Sequence, residues 1–102
     1  MMEILNPNTL EKMMAENADI TIIDVRTEEE IAEGMIEGAH HINIFSPDFM
    51  NKIDAYDRSK TYVMVCRSGA RSGQACMQMM GLGFEKIYNL EGGMMSWRGT
   101  TV

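Results

Sequence analysis

The sequence predicts an α/β domain, with a mostly parallel central sheet flanked by helices on both faces. Three observations lead there. Short apolar, β-branched runs recur along the chain, helical patterns with their own caps and stops separate them, and 102 residues leave room for one domain with a modest core. That domain is expected to run from residue 1 to residue 102.

The first helix is expected to open at Asn8, which forms a capping-box pattern with Glu11, and Leu10, Met13 and Met14 continue it at helical spacing to about Asn17. Ile20 to Val25 reads as a buried strand. Thr27 and Glu30 form a second capping-box pair and open a short helix that Gly34 stops. Its acids, Glu28, Glu29, Glu30 and Glu33, together with Glu37, read as a solvated face that complements the helix dipole rather than as a metal site.

Gly34 and Gly38 bracket a turn before a short strand from His41 to Ile44, and Ser46 with Pro47 suit the N-cap and first position of a helix ending near Ala55. Thr61 to Val65 is the next strand. A glycine-containing loop follows it, then a helix from about Ala70 that Gly81 and Gly83 end. Lys86 to Leu90 makes a further strand, and Gly92 with Gly93 turns the chain into a short helix around Met94 to Trp97. Trp97 reads as a core plug.

With 45% apolar and 24% charged residues, the chain has the make-up of an ordinary folded protein, not of a disordered one. A net charge of −6 argues against nucleic-acid or anionic-membrane partners, which need basic patches. The first nine residues carry no signal-peptide pattern and no membrane-length apolar run occurs, so a cytoplasmic location is expected. Two cysteines suit neither a disulfide framework nor a metal motif, and no metal or cofactor is expected. The 12 methionines are read chiefly as core filler.

In open α/β sheets, ligands bind outside the carboxyl ends of the strands, which directs attention to the residues after Val25 and Val65. Cys66 follows directly on Val65. Small residues at Ser68, Gly69 and Ala70 let successive N–H groups turn inward as an anion-binding nest at a helix start, with Arg67 and Arg71 adding charge. A thiol with a pKa of about 8.5 is only about 3% ionised at neutral pH, and lowering it two units needs roughly 2.7 kcal/mol. A helix terminus supplies about 0.3 to 1 kcal/mol of that, so direct donors and guanidinium groups must provide the rest.

Residues 66–72, CRSGARS, resemble the active-site loop of rhodanese-like domains. IIDVRTEEE resembles the first-strand motif of that family, GMIEGAHHINI its turn and strand, and NLEGGMMSW its Gly-Gly and tryptophan signature. Met35 stands where the family usually has histidine, and Phe45 where a proline is common. The resemblance implies a rhodanese-like fold and a sulfurtransferase of the thiosulfate type. Cys66 would take a sulfane sulfur from thiosulfate or a persulfide and hand it to a thiol, to cyanide or to a protein acceptor.

Arg67 and Arg71 are the candidates for binding the anionic donor, with pairing to a carboxylate as the structural alternative. Asp24 and Arg26 either orient the loop or form a buried ion pair, with structure the preferred reading. Ser72 either donates toward the sulfur or bonds to nearby backbone. Cys76 reads as a packed helix residue and His40 and His41 as turn or surface residues, the two facing opposite ways. A persulfide carrier or non-catalytic partner-binding module stands as an alternative function. A cysteine phosphatase or arsenate reductase is less suited, because that loop places arginine six positions after the cysteine and Ser72 stands there.

Overall fold

The computed structural model describes residues 2–102 and contains five strands, β1 (Met2–Leu5), β2 (Ile20–Asp24), β3 (His40–His41), β4 (Thr61–Val65) and β5 (Lys86–Leu90). All pairings are parallel, in the order β1-β5-β4-β2-β3. Between them run α1 (Pro7–Ala15), α2 (Glu28–Ile31), α3 (Phe49–Asp54) and α4 (Ala70–Gly81), and a 3-10 turn over Gly93–Ser96 follows β5.

Strand alternation divides the core in two. Ile23, Tyr62, Met64 and Ile87 face α3 and α4, packing with Phe49, Ile53, Ala75, Cys76 and Met79. Ile22, Val63, Val65 and Leu90 face the other way, against Leu10 of α1, Ile36 and the partly buried Met94 and Trp97. Helices therefore cover both faces, as the alternating sequence pattern predicts. Trp97 packs at the margin of the second cluster instead of plugging it.

Strand β1 has no counterpart in the sequence reading. Its four residues expose Glu3 and Ile4 and bury only Leu5, so they carry no periodic signal. They become a strand because β5 offers them an edge, in register from Met2 opposite Ile87 to Leu5 opposite Leu90.

Helix boundaries also differ from the expected ones. Asn6, not Asn8, caps α1, its side chain accepting from the Asn8 N–H while Pro7 occupies the first helical position, where a missing donor costs nothing. Helix α3 begins only at Phe49, since Ser46 uses its hydroxyl to reach the Asp48 carboxylate within a turn. Strand β3 stops at His41, although the Ile42 and Ile44 N–H groups still bond to Asp24 and Val25. The methionines divide: Met64 and Met79 are buried, Met2, Met13, Met14 and Met94 pack partly buried against the two clusters, and Met50, Met77, Met80 and Met95 are exposed. Along α4 a single face meets the sheet, and Met77 and Met80 lie off it.

The polar anchor of this frame is the buried pair Asp24 and Arg26 at the end of β2. Arg26 donates to both Asp24 carboxylate oxygens, at 2.8 to 3.1 Å, and also to the Glu30 and Gly34 carbonyls, which ties β2 to α2. Asp24→Ala would leave the buried guanidinium without its counter-charge and should cost about 3 kcal/mol of stability. The check is the urea midpoint at unchanged slope; a loss below about 1 kcal/mol would mean that the two carbonyls suffice.

Candidate active site

Strand β4 lies between β2 and β5, so its carboxyl end is walled on both sides. It delivers Cys66, 1% exposed, to the start of the loop that leads into α4. Gly69 sits just before that helix with φ of +109°, a conformation that L side chains rarely adopt, and its N–H donates to Cys66 Sγ at 3.0 Å. Burial pushes the Cys66 thiol up. Against it act the Ser72 hydroxyl, 3.2 Å from the sulfur, and the backbone N–H groups of Ser72, Gly69 and Ser68; together they win, and the thiol lies below its ordinary value.

A second clamp holds the loop from behind. Met94 and Met95 donate their N–H groups to the Cys66 and Arg67 carbonyls, at 2.9 and 3.0 Å, which turns those carbonyls away from the sulfur. Gly93, with φ of +54°, permits the approach, since a Cβ there would lie 2.4 Å from the Cys66 carbonyl oxygen. Sequence reading took the Gly-Gly pair as a turn and as part of a family signature. It is a buttress of the loop.

The two loop arginines part company. Arg71 is held bidentately by Glu30, both bonds 2.7 Å, and its guanidinium stands 6.0 Å from the Phe45 ring. Glu30 also completes the Thr27 capping box, so one carboxylate joins the first turn of α2 to the first turn of α4. Arg67 is exposed and lines a cavity of about 310 Å³ beside the loop, together with Arg26, Glu30, Glu33, Gly34, Met94, Met95 and Thr101. Ser68 and Ala70 are exposed around the nest.

Asp24, the last residue of β2, and Arg26, just past it, form the buried pair described above and make no bond to the sulfur among the described residues. Ser72, one of the weak sequence candidates, is fully buried with its hydroxyl 3.2 Å from the sulfur. Asn89 was missed altogether; it lies on β5, where nothing local marks it, and reaches both Ser72 and Gly69. Cys76 is buried in α4, where desolvation pushes its thiol up to about 12. His40 bonds to the Tyr56 hydroxyl and His41 to the Arg26 carbonyl, on different sides. Among the described residues no group of three or more His, Cys, Asp or Glu side chains is placed to hold a metal.

The rhodanese-like domain family model matches residues 6–100. The chain belongs to the rhodanese-like domain family. It is 42% identical over 102 residues to YtwF of Bacillus subtilis, covering 98% of this chain and 96% of that one. It is 36% identical over 98 residues to a sulfurtransferase of Allochromatium vinosum, covering 95% and 89%. The rhodanese-related protein of Thermoplasma volcanium superposes with a TM-score of 0.85 at 28% identity, over 98% of this chain and 97% of that one. Further relatives are named thiosulfate sulfurtransferase and tRNA uridine(34) hydroxylase. At the level of the family, the activity is sulfur transfer. No helix among the described residues is long and apolar enough to cross a membrane.

Two outcomes follow from the site's electrostatics. At neutral pH iodoacetamide should label Cys66 well ahead of Cys76, and peptide mapping with equal labelling of both would contradict the assignment. Glu30 is lowered from 4.5 to about 2, first by its hydrogen bonds from Arg71. A depressed carboxylate stabilises the fold above its unfolded value and loses that contribution as pH falls toward its folded one. The Arg71–Glu30 link should therefore weaken between pH 4.5 and about 2. Glu30→Gln should be less stable by about 1 kcal/mol at pH 7, with the difference from the parent closing across that window in acid melts.

Proposed function

We propose that Cys66 is the nucleophile of a thiosulfate-type sulfurtransferase. The observation that carries this reading is the Gly69 N–H aimed at Cys66 Sγ at 3.0 Å, in a ring of amide donors at the carboxyl edge of the sheet. In the first half-reaction the thiolate attacks the outer sulfur of thiosulfate. A new S–S bond forms, the thiosulfate S–S bond breaks, its electron pair leaves on sulfite, and Cys66 becomes a persulfide anion. An acceptor thiolate or cyanide then attacks the outer sulfur, and the electron pair of the breaking S–S bond returns to Cys66.

The amide ring serves both halves, because each begins and ends with negative charge on sulfur within reach of Ser68, Gly69 and Ser72. Ala70, like Ser68 and Gly69, keeps the nest small enough for one sulfur atom. Arg67, exposed at the cavity beside the loop, binds the anionic donor. Arg71, engaged by Glu30, contributes positive field and holds the loop in place. The Asp24–Arg26 pair supports α2 and thus Glu30. Two free thiols are in keeping with a cytoplasmic reaction.

A second reading, a persulfide carrier loaded by a protein donor, draws support from Phe45 and Met95. These exposed apolar side chains, 69% and 68% accessible, border the loop near Arg71 and Arg67. Turnover with thiosulfate and a small thiol, set against turnover with a protein persulfide, separates the two readings.

The direct test is intact-protein mass spectrometry after thiosulfate treatment. The parent and Cys76→Ser should each gain one sulfur atom, and Cys66→Ser none; loading of Cys66→Ser, or none of the parent, would end the proposal. Arg67→Ala should raise KM for thiosulfate by about tenfold with a smaller change in kcat, as expected when a charged contact to the donor is lost. Steady-state kinetics over a thiosulfate series gives the split.

A further inference from the structure

Asn89, 7% exposed near the end of β5, donates its side-chain N–H to the Gly69 carbonyl at 3.0 Å. A carbonyl only accepts, so this bond fixes which end of the amide faces which neighbour. Asn89 Oδ1 is thereby turned to Ser72, whose Oγ lies 2.5 Å away. That oxygen also only accepts, and the hydroxyl proton must lie between the two.

Ser72 has one hydroxyl proton and two neighbours that compete for it. Its Oγ is 3.2 Å from Cys66 Sγ, and while the proton is given to Asn89 it meets the sulfur with a lone pair, as acceptor for S–H. The donors then run in one direction, from Cys66 S–H to Ser72, from Ser72 O–H to Asn89, and from the Asn89 N–H to Gly69. An ionised Cys66, already met by backbone N–H groups, is stabilised further when the hydroxyl turns from Asn89 to the sulfur. Asn89 Oδ1 and Ser72 Oγ would then face each other with no proton between them.

The surroundings are built for this amide. Gly73 lies inside α4, where glycine is unfavourable, yet a Cβ there would come 3.3 Å from Asn89 Nδ2. The Gly69 carbonyl also accepts from the Gly73 N–H at 3.0 Å, so it keeps a partner without Asn89. Asn89 is therefore not needed to satisfy that carbonyl, and its bond to Ser72 is the consequential one.

We propose that Asn89 is a positioning residue that competes with Cys66 for the single Ser72 proton, and so sets how much of the cysteine rests as thiol. This rests on Cys66 being the reacting sulfur. Charged and titratable groups around that sulfur are Arg67 on the loop, Arg71 and Cys76 on α4, the Asp24–Arg26 pair at the end of β2, and Glu30 on α2. The variants below change none of them.

The experiment is the pH profile of Cys66 alkylation by iodoacetamide, with Cys66→Ser as the blank. Asn89→Leu keeps the branched shape and removes the acceptor. Its profile should move down by about one unit, giving about tenfold faster alkylation on the acid side. Asn89→Asp offers a stronger acceptor and should move the profile up. In a Ser72→Ala background the Asn89→Leu shift should vanish.

An Asn89→Leu profile that is unchanged or moves up overturns the proposal, as does a downward shift that persists without the Ser72 hydroxyl. If Asn89→Leu does not fold, Asn89→Asp in both backgrounds decides. A larger upward shift with Ser72 present supports the competition, and equal shifts reduce the effect to charge alone and overturn it. No sulfur donor enters this assay. A parent that alkylates normally but does not load from thiosulfate would count against the sulfur-transfer reaction and not against the Ser72 proton.

Discussion

A sulfur atom taken out of water can carry charge only if fixed donors replace the water it loses, and the carboxyl end of β4 is organised by that requirement. Cys66 is almost fully buried, which alone would make it a poor nucleophile. The loop answers by aiming backbone N–H groups at Sγ, which a chain can do only where its carbonyls have somewhere else to go. Met94 and Met95 provide that place for the Cys66 and Arg67 carbonyls, and Gly93 lets them approach. The clamp behind the loop is thus as much a part of the site as the loop itself.

Charge pairs carry the same constraint outward. Asp24 neutralises Arg26, Arg26 holds the carbonyls of Glu30 and Gly34, and Glu30 in turn holds Arg71 at the start of α4. Each link is a polar group that would be costly to bury alone; the Asp24–Arg26 pair is local to the end of β2, and the later links reach α2 and α4. The series runs from the end of β2 through α2 to the first turn of α4, directly after the loop. Ser72 and Asn89 close the other side, from α4 to β5.

Much of the fold is legible in the residues. Thr61 to Val65 and Lys86 to Leu90 match β4 and β5 to the residue, and the Thr27–Glu30 capping box is present as read, because strand burial and helix caps depend on neighbours a few positions apart. Strand β1 was not legible, since its pairing partner lies at the far end of the chain. Met77 and Met80, exposed on α4, depart from the core-filler reading for a related reason. Helical spacing shows which residues share a face of α4, but the packed sheet decides which face is covered.

The sequence by itself determined the family, the order of strands and helices after β1, and the cysteine poised after a buried strand, because these are local patterns of apolarity, small residues and caps. Only the tertiary structure decided that Arg71 belongs to Glu30, that Gly93 buttresses the loop, and that Asn89 reaches Ser72. Those are contacts between residues far apart in the chain. Which donor meets which acceptor there depends on angles and distances of a few tenths of an ångström, and the linear order of residues does not contain them.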